Sequence, residues 1–174
     1  MSTVTSRLEA AGGGTDRLAE LYARHISGAR RFAYLLCGDE QAAADIAQEA
    51  FLRVAGRVGA LRNADAFPSY LRATVRNVAR MRARALAREG SRVDRHQRLY
   101  AAEPETAVDD IRDDDLWRSV TQLPDRQRTA LVCRFYLDLS ERDTARVLSC
   151  RPGTVKSLVS RGLATLRENR SSDG

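Results

Sequence analysis

The charge of this chain inverts abruptly near its middle, and the inversion restricts what the chain can fold into. From Arg72 to Arg98 nine arginines stand against only Glu89 and Asp94, a local excess of +7. From Glu103 to Asp115 seven acids (Glu103, Glu105, Asp109, Asp110, Asp113, Asp114 and Asp115) stand against Arg112, a local value of −6. Gly90 and Pro104 fall inside the switch, so the segment reads as a linker between two bodies. A length of 174 residues accommodates two small domains.

On both sides of the switch, apolar residues recur at intervals of three and four. Leu18, Leu21, Tyr22, Ile26, Ala29, Phe32, Ala33 and Leu36 predict one amphipathic helix from about Asp16 to Gly38 and Asp39. Residues 1–15, with Gly12, Gly13 and Gly14, read as a flexible tail. Ala43, Ile46, Ala47, Ala50, Phe51 and Val54 predict a second helix that fades at Gly56 and Gly59. After the loop Arg62, Asn63, Ala64, Asp65, a third turns Phe67, Leu71, Val75, Val78 and Ala85 to one side.

Beyond the linker, Leu116, Val120 and Leu123 open a new helical set, and Pro124 suits the first turn of a helix carrying Leu131, Val132 and Phe135. Ser140 is placed to cap Glu141 to Leu148, with Asp143 in the capping-box position normally held by Glu or Gln. A last helix runs from about Pro152 to Glu168. Neither β-alternation nor a hairpin dipeptide is found. The expected fold is all-α: a helix bundle over 16–88 and a helix-turn-helix domain over 113–170, joined by a flexible acidic linker over 89–112.

Composition narrows the partners. The formal charge is +6, and of 29 basic residues only Lys156 is lysine. Codon usage in a GC-rich genome accounts for the arginine-to-lysine ratio but not for the net basicity, which favours a polyanionic partner. Nucleic acid ranks ahead of a membrane surface, because no helix pairs a basic face with a Trp, Phe or Leu stripe. No apolar run approaches the ~18 residues of a membrane span, and no signal-peptide pattern opens the chain, so a cytoplasmic protein without membrane insertion is expected. Cys37, Cys133 and Cys150 are widely spaced with no CxxC pair, which favours buried free thiols over disulfides or zinc.

Two segments carry the chemistry. On the third helix Arg72, Arg76, Arg80 and Arg84 step four residues apart on the side away from the apolar stripe, matched to a phosphate backbone, with Asn77 on the flank. A solvated basic face is the plain alternative. The amide of Asn77 weighs against it, since Asn can pair with a base edge. Toward the C-terminus, a short helix, a tight turn at Ser149 to Arg151 and a helix offering Thr154, Lys156, Ser157, Ser160 and Arg161 beside Val155, Val159, Leu163 and Leu166 form a helix-turn-helix pattern. Catalysis has no carrier: His25 and His96 sit in no metal spacing, and no phosphate-binding glycine motif is present. His25 reads as a surface or partner-contact residue. The acidic run could hold Mg²⁺ only as a minor alternative to simple solvation.

Four motifs in order resemble one family. Asp45-Ile46-Ala47-Gln48-Glu49-Ala50-Phe51 resembles the D-x-x-Q-E-x-F core of the sigma-two domain in extracytoplasmic-function sigma factors (group IV, here of an actinobacterial SigE-like type). Ala66-Phe67-Pro68-Ser69-Tyr70-Leu71 with Arg76-Asn77 is similar to that domain's A-F-x-x-W-L and R-N stretch. Leu123-Pro124-Asp125-Arg126-Gln127-Arg128 and Gly153-Thr154-Val155-Lys156-Ser157 resemble the sigma-four signatures. The resemblance spans about Leu18 to Arg167.

The resemblance implies that Asp45, Gln48, Glu49 and Phe51 dock on the β′ clamp helices of core RNA polymerase, with the β subunit as a further contact. It implies that Asn63, Asp65, Arg76, Asn77, Arg80 and Arg84 capture the unpaired minus-ten strand of promoter DNA. Arg151, Thr154, Lys156, Ser157, Ser160 and Arg161 would read the minus-thirty-five duplex. An anti-sigma protein is the implied regulator, and no cofactor, metal or catalytic residue is implied. Four departures stand out: Tyr70 replaces Trp, Leu158 stands where many relatives carry Arg, Arg151 stands where Ser is common, and Arg72 sits one place before its frequent family position. A polymerase-independent helix-turn-helix regulator is the alternative reading, but it gives Asp45 to Phe51 no task.

Overall fold

A computed structural model describes residues 2–56, 66–88 and 114–172, with side chains placed for 16–56, 66–88 and 116–169. The loop holding Asn63 and Asp65, His96 and all but the end of the acidic segment lie outside the described residues. The described chain is helical: α1 (Ser2–Cys37), α2 (Glu40–Ala55), α3 (Phe67–Arg88), α4 (Asp114–Gln122), α5 (Asp125–Leu131), a π turn (Val132–Tyr136), α6 (Glu141–Leu148) and α7 (Pro152–Ser172). As the sequence predicts, no strand occurs among the described residues. α1 begins at Ser2, so it takes in the segment expected to be a tail; among the residues whose side chains are described, Leu18 is the first that packs against the core.

The corner between α1 and α2 is built from two adjacent residues. Gly38 adopts a φ of 73°, a conformation that costs glycine little, and its N–H donates to Tyr34 O at 2.7 Å. Asp39 then caps α2, accepting from the Ala42 N–H at 2.6 Å. Ala33, Ala43, Ala47 and Ala50 are fully buried, so the two helices approach closely. Phe32, Ile46, Val54, Phe67, Val75 and Val78 fill the space between α1, α2 and α3, each stabilising the fold by about 1.5–3 kcal/mol when buried. Phe51 meets Tyr22 edge-on with centroids 4.9 Å apart and Phe67 at 5.9 Å. Ala85, expected on the apolar side of α3, is exposed, because the last two turns of α3 extend past the core.

The C-terminal half has a small core of its own, Ala130, Ala145, Leu148 and Val155. The remaining apolar surface finds cover on the N-terminal half. Val132, Cys133 and Val147 are buried in the same cluster as Phe32 and Val75, and Trp117 stacks on Tyr34 with rings 5.8 Å apart and 10° from parallel. The two halves therefore share a core, where the charge pattern alone suggests separate bodies.

The π turn explains a second difference. Leu137 N–H donates to Val132 O at 3.0 Å, five residues back, so this turn holds an extra residue. Val132 and Cys133 face inward, while Phe135, predicted to be apolar core, is rotated out and left 67% exposed. Pro124 caps α5 rather than opening its first turn, its carbonyl accepting from Gln127 and Arg128 N–H groups at 2.9 and 3.0 Å.

Candidate nucleic-acid interface

The helix-turn-helix forms as its sequence predicts. α6 spans Glu141–Leu148, and the Asp143 N–H donates to Ser140 Oγ at 3.0 Å. The box closes differently from the usual one, because the Ser140 hydroxyl donates to Asp143 Oδ2 at 2.6 Å. Asp is one methylene too short to reach back comfortably to the capping backbone. Ser149 supplies the left-handed turn with φ 50° where glycine is usual, and its N–H donates to Arg146 O at 3.2 Å.

α7 then presents its first three turns to solvent. Val155 is fully buried against α5 and α6, which fixes the rotation of the helix. Arg151, Thr154, Lys156, Ser157, Ser160 and Arg161 are all exposed. They form two sets. At about 100° per residue Thr154, Ser157 and Arg161 share one face, while Lys156 and Ser160 lie on the adjoining flank. That flank lines a groove with Arg134, Phe135, Leu163 and Arg167, and Lys156 Nζ stands 3.9 Å from Glu141 Oε2.

The arginine row of α3 is divided differently from what its spacing suggests. Asn77 and Arg84 are exposed. Arg80 is half-buried with its Nε enclosed, and Arg76 is 3% exposed, its Nη2 3.2 Å from Asp125 Oδ2 on α5. Arg82, which the spacing argument passes over, reaches α2 and bridges Glu49 at 3.1 Å and Asp45 at 3.5 Å. Its signal in the sequence is the Asp45/Glu49 pair four residues apart, which gives one helix face a double negative charge for an arginine on a neighbouring helix. Arg128 is a second omission. Its guanidinium donates to Leu36 O at 2.6 Å and Leu123 O at 3.1 Å, tying α5 to the end of α1.

On α2, Asp45 and Gln48 are exposed and Glu49 is half-buried, also held by Arg53 at 2.6 Å. Phe51, placed beside them by the motif, points into the core. His25 is half-buried rather than on the open surface, its ring 5.3 Å from that of Phe67. Burial, Arg24 and Arg72 all hold its pKa below 6.5. The three cysteines are free, Cys133 buried and Cys37 and Cys150 partly so. Burial pushes the Cys133 thiol up to about 12, opposed by the nearby charges of Arg72 and Arg76. Among the described residues no group of three His, Cys, Asp or Glu is arranged to hold a metal, and no helix is long and apolar enough to cross a membrane.

A helix bundle carrying an arginine-lined helix, coupled to a helix-turn-helix with an open second helix, defines a two-part DNA-binding protein. Comparison with known proteins gives it a family. Residues 21–89 match the model for Sigma-70 region 2, and residues 113–166 that for Sigma-70, region 4. The chain is 32% identical over 137 residues to the RNA polymerase sigma-H factor of Pseudomonas aeruginosa, covering 71% of this chain and 70% of the relative. It is 28% identical over 153 residues to the ECF RNA polymerase sigma factor EcfG of Rhodopseudomonas palustris, covering 87% and 84%. The fold is similar to that of the sigma factor RpoE of Bartonella quintana, solved in complex with the anti-sigma factor NepR, with a TM-score of 0.73, 23% identity and coverage of 91% and 99%. The chain belongs to the extracytoplasmic-function RNA polymerase sigma factors, which direct core polymerase to promoters.

Proposed function

We propose a division of labour among the residues of this sigma factor. The α2 face of Asp45, Gln48 and Glu49 docks on the β′ clamp helices, with Phe51 holding that face rigid from behind. Asn77, Arg80 and Arg84 of α3, with Asn63, Asp65 and Arg76, take the unpaired minus-ten strand. Thr154, Ser157 and Arg161 face the minus-thirty-five bases, while Arg151, Lys156 and Ser160 serve the flanking phosphates. The observation that carries this reading is the exposure of Arg151 and of the five α7 candidates that follow it, immediately after a capped helix and a left-handed turn.

The task is binding, not bond chemistry, and it needs no cofactor. Two weak readers, one over 16–88 and one over 113–170, gain joint affinity from the linker of 89–112 when the promoter spacer matches its reach. An anti-sigma protein is the expected regulator, supported by the Bartonella quintana relative solved with one. The cytoplasm is the expected compartment. Within the family, the actinobacterial SigE-like type is the proposed placement.

Run-off transcription with core polymerase on genomic fragments, followed by start-site mapping, tests the reading. Defined starts that require the protein are expected, together with weakened promoter opening in Asn77→Ala and Arg84→Ala. Failure of the purified chain to associate with core polymerase at any salt concentration would overturn it.

A further inference from the structure

α2 has a clean apolar stripe, and Leu52 is not on it. Ala43, Ile46, Ala47, Ala50, Phe51 and Val54 are buried in the core shared with α1 and α3. At about 100° per residue Leu52 points almost directly away from their mean direction. It is 72% exposed, the most of any large apolar residue described. A lone exposed leucine is ordinary on a protein surface. The neighbours of this one are not. Asp45, Gln48 and Glu49 stand seven, four and three residues before it, so the four side chains fall within roughly 100° of the helix circumference, with Leu52 between Gln48 and Asp45. The charges of that face are already answered from within the protein. Glu49 Oε1 accepts from Arg53 at 2.6 Å and its Oε2 from Arg82 at 3.1 Å, and Arg82 also reaches Asp45 Oδ2 at 3.5 Å. Two carboxylates and two guanidiniums cancel, so a charged partner gains little net attraction here. What remains to it is apolar surface ringed by hydrogen-bonding groups, the arrangement found at the centre of protein interfaces.

We propose that Leu52 is the anchor of the polymerase-docking face: its side chain inserts into an apolar recess between helices of the partner, while Asp45, Gln48 and Glu49 form a polar rim that shuts water out around it. The proposal rests on the assignment of α2 to core polymerase. The affinity then has a different source from the one the acidic motif suggests. Arg53 and Arg82 hold the carboxylates as oriented hydrogen-bond acceptors, and the partner brings donors to meet them. Phe51, one residue earlier, fills the core beneath, so the backbone that carries Leu52 is fixed before docking and little ordering is left for the bound state. Burying a leucine side chain fully raises an association constant about tenfold or more.

The experiment measures association of the fluorescently labelled full chain with core polymerase, at low and at high salt, for wild type, Leu52→Ala, Leu52→Met and Asp45→Asn. Leu52→Ala is expected to weaken association about tenfold, by the same factor at both salt concentrations, because an apolar contact is not screened. Leu52→Met keeps the apolar volume and is expected to stay within about twofold of wild type. Asp45→Asn is expected to weaken association about threefold or less, and only at low salt. Urea midpoints of the three variants are expected to lie close to wild type, since both positions are exposed. Association of Leu52→Ala at the wild-type level would overturn the anchor. So would a loss in Leu52→Met as large as in Leu52→Ala, because apolar volume would then not be what the partner reads. A greater loss in Asp45→Asn than in Leu52→Ala would return the affinity to charge and overturn it as well. Failure of the wild type itself to associate would overturn the assignment of α2, and the anchor with it, before any variant is compared.

Discussion

Gly162 of α7 and Leu131 of α5 approach so closely that a Cβ at position 162 would lie 2.9 Å from Leu131 Cδ1 and 3.2 Å from its Cγ. Leu131 is 5% exposed, so its side chain has little room to withdraw. Gly162→Ala gains up to about 1 kcal/mol of helix propensity and incurs about 1–3 kcal/mol of overpacking, leaving a net loss of roughly 1 kcal/mol. The measurement is a urea midpoint followed by circular dichroism. A midpoint raised above wild type would show that α5 and α7 can part without cost.

The two serines of the helix-turn-helix should respond with opposite signs. Ser149 holds φ 50°, so Ser149→Gly is expected to stabilise the protein by about 0.5–1 kcal/mol. Ser140→Ala removes the cap on Asp143 N–H and should destabilise by about 1 kcal/mol. Thermal melts of the two variants check the pair.

Lys156 lies on the flank of α7, not on the face shared by Thr154, Ser157 and Arg161. Lys156→Ala should therefore weaken duplex binding evenly across sequences and flatten the dependence of log K on log salt by about one unit. Thr154→Ala, by contrast, should alter sequence preference and leave that slope unchanged. Titrations of fluorescent duplexes at four salt concentrations separate these outcomes.

His25 supplies a pH dependence. Its folded pKa is held below 6.5 by burial and by two arginines, so the unfolded chain takes up this proton first as pH falls. Stability is thus highest above pH 6.5, declines as pH drops below it, and stops declining on this account once the folded imidazole is also charged. An NMR titration of His25 should give a midpoint below 6.5, and His25→Gln should flatten this part of the stability profile.

Much of this molecule is legible in the order of its residues. The three-and-four spacing of Phe32, Ile46, Val54 and Val75 places them in the core, and Ser140 with Asp143 announces the start of α6, because both signals are local. Phe135 was unreadable for a matching reason: one extra residue in a turn rotates everything after it by about 100°, and periodicity assumes no insertion. Arg76 failed differently. Its spacing from Arg72 and Arg80 describes a position on a cylinder, whereas its burial depends on α5, some 49 residues away in sequence. Thr154, Lys156, Ser157, Ser160 and Arg161 are exposed on α7 because the contact that anchors the helix, Val155, lies among them in the sequence.

The bridges from Arg82 to Asp45 and Glu49 alter what the basic stretch of α3 can offer a polyanion. A guanidinium already neutralised by its own protein releases no counterion when it nears a phosphate, so formal charge overstates the field. Titrating the strand against salt should consequently count fewer ions than the arginines of α3. The shortfall would measure how much of that helix's electrostatics is directed inward, toward its own fold.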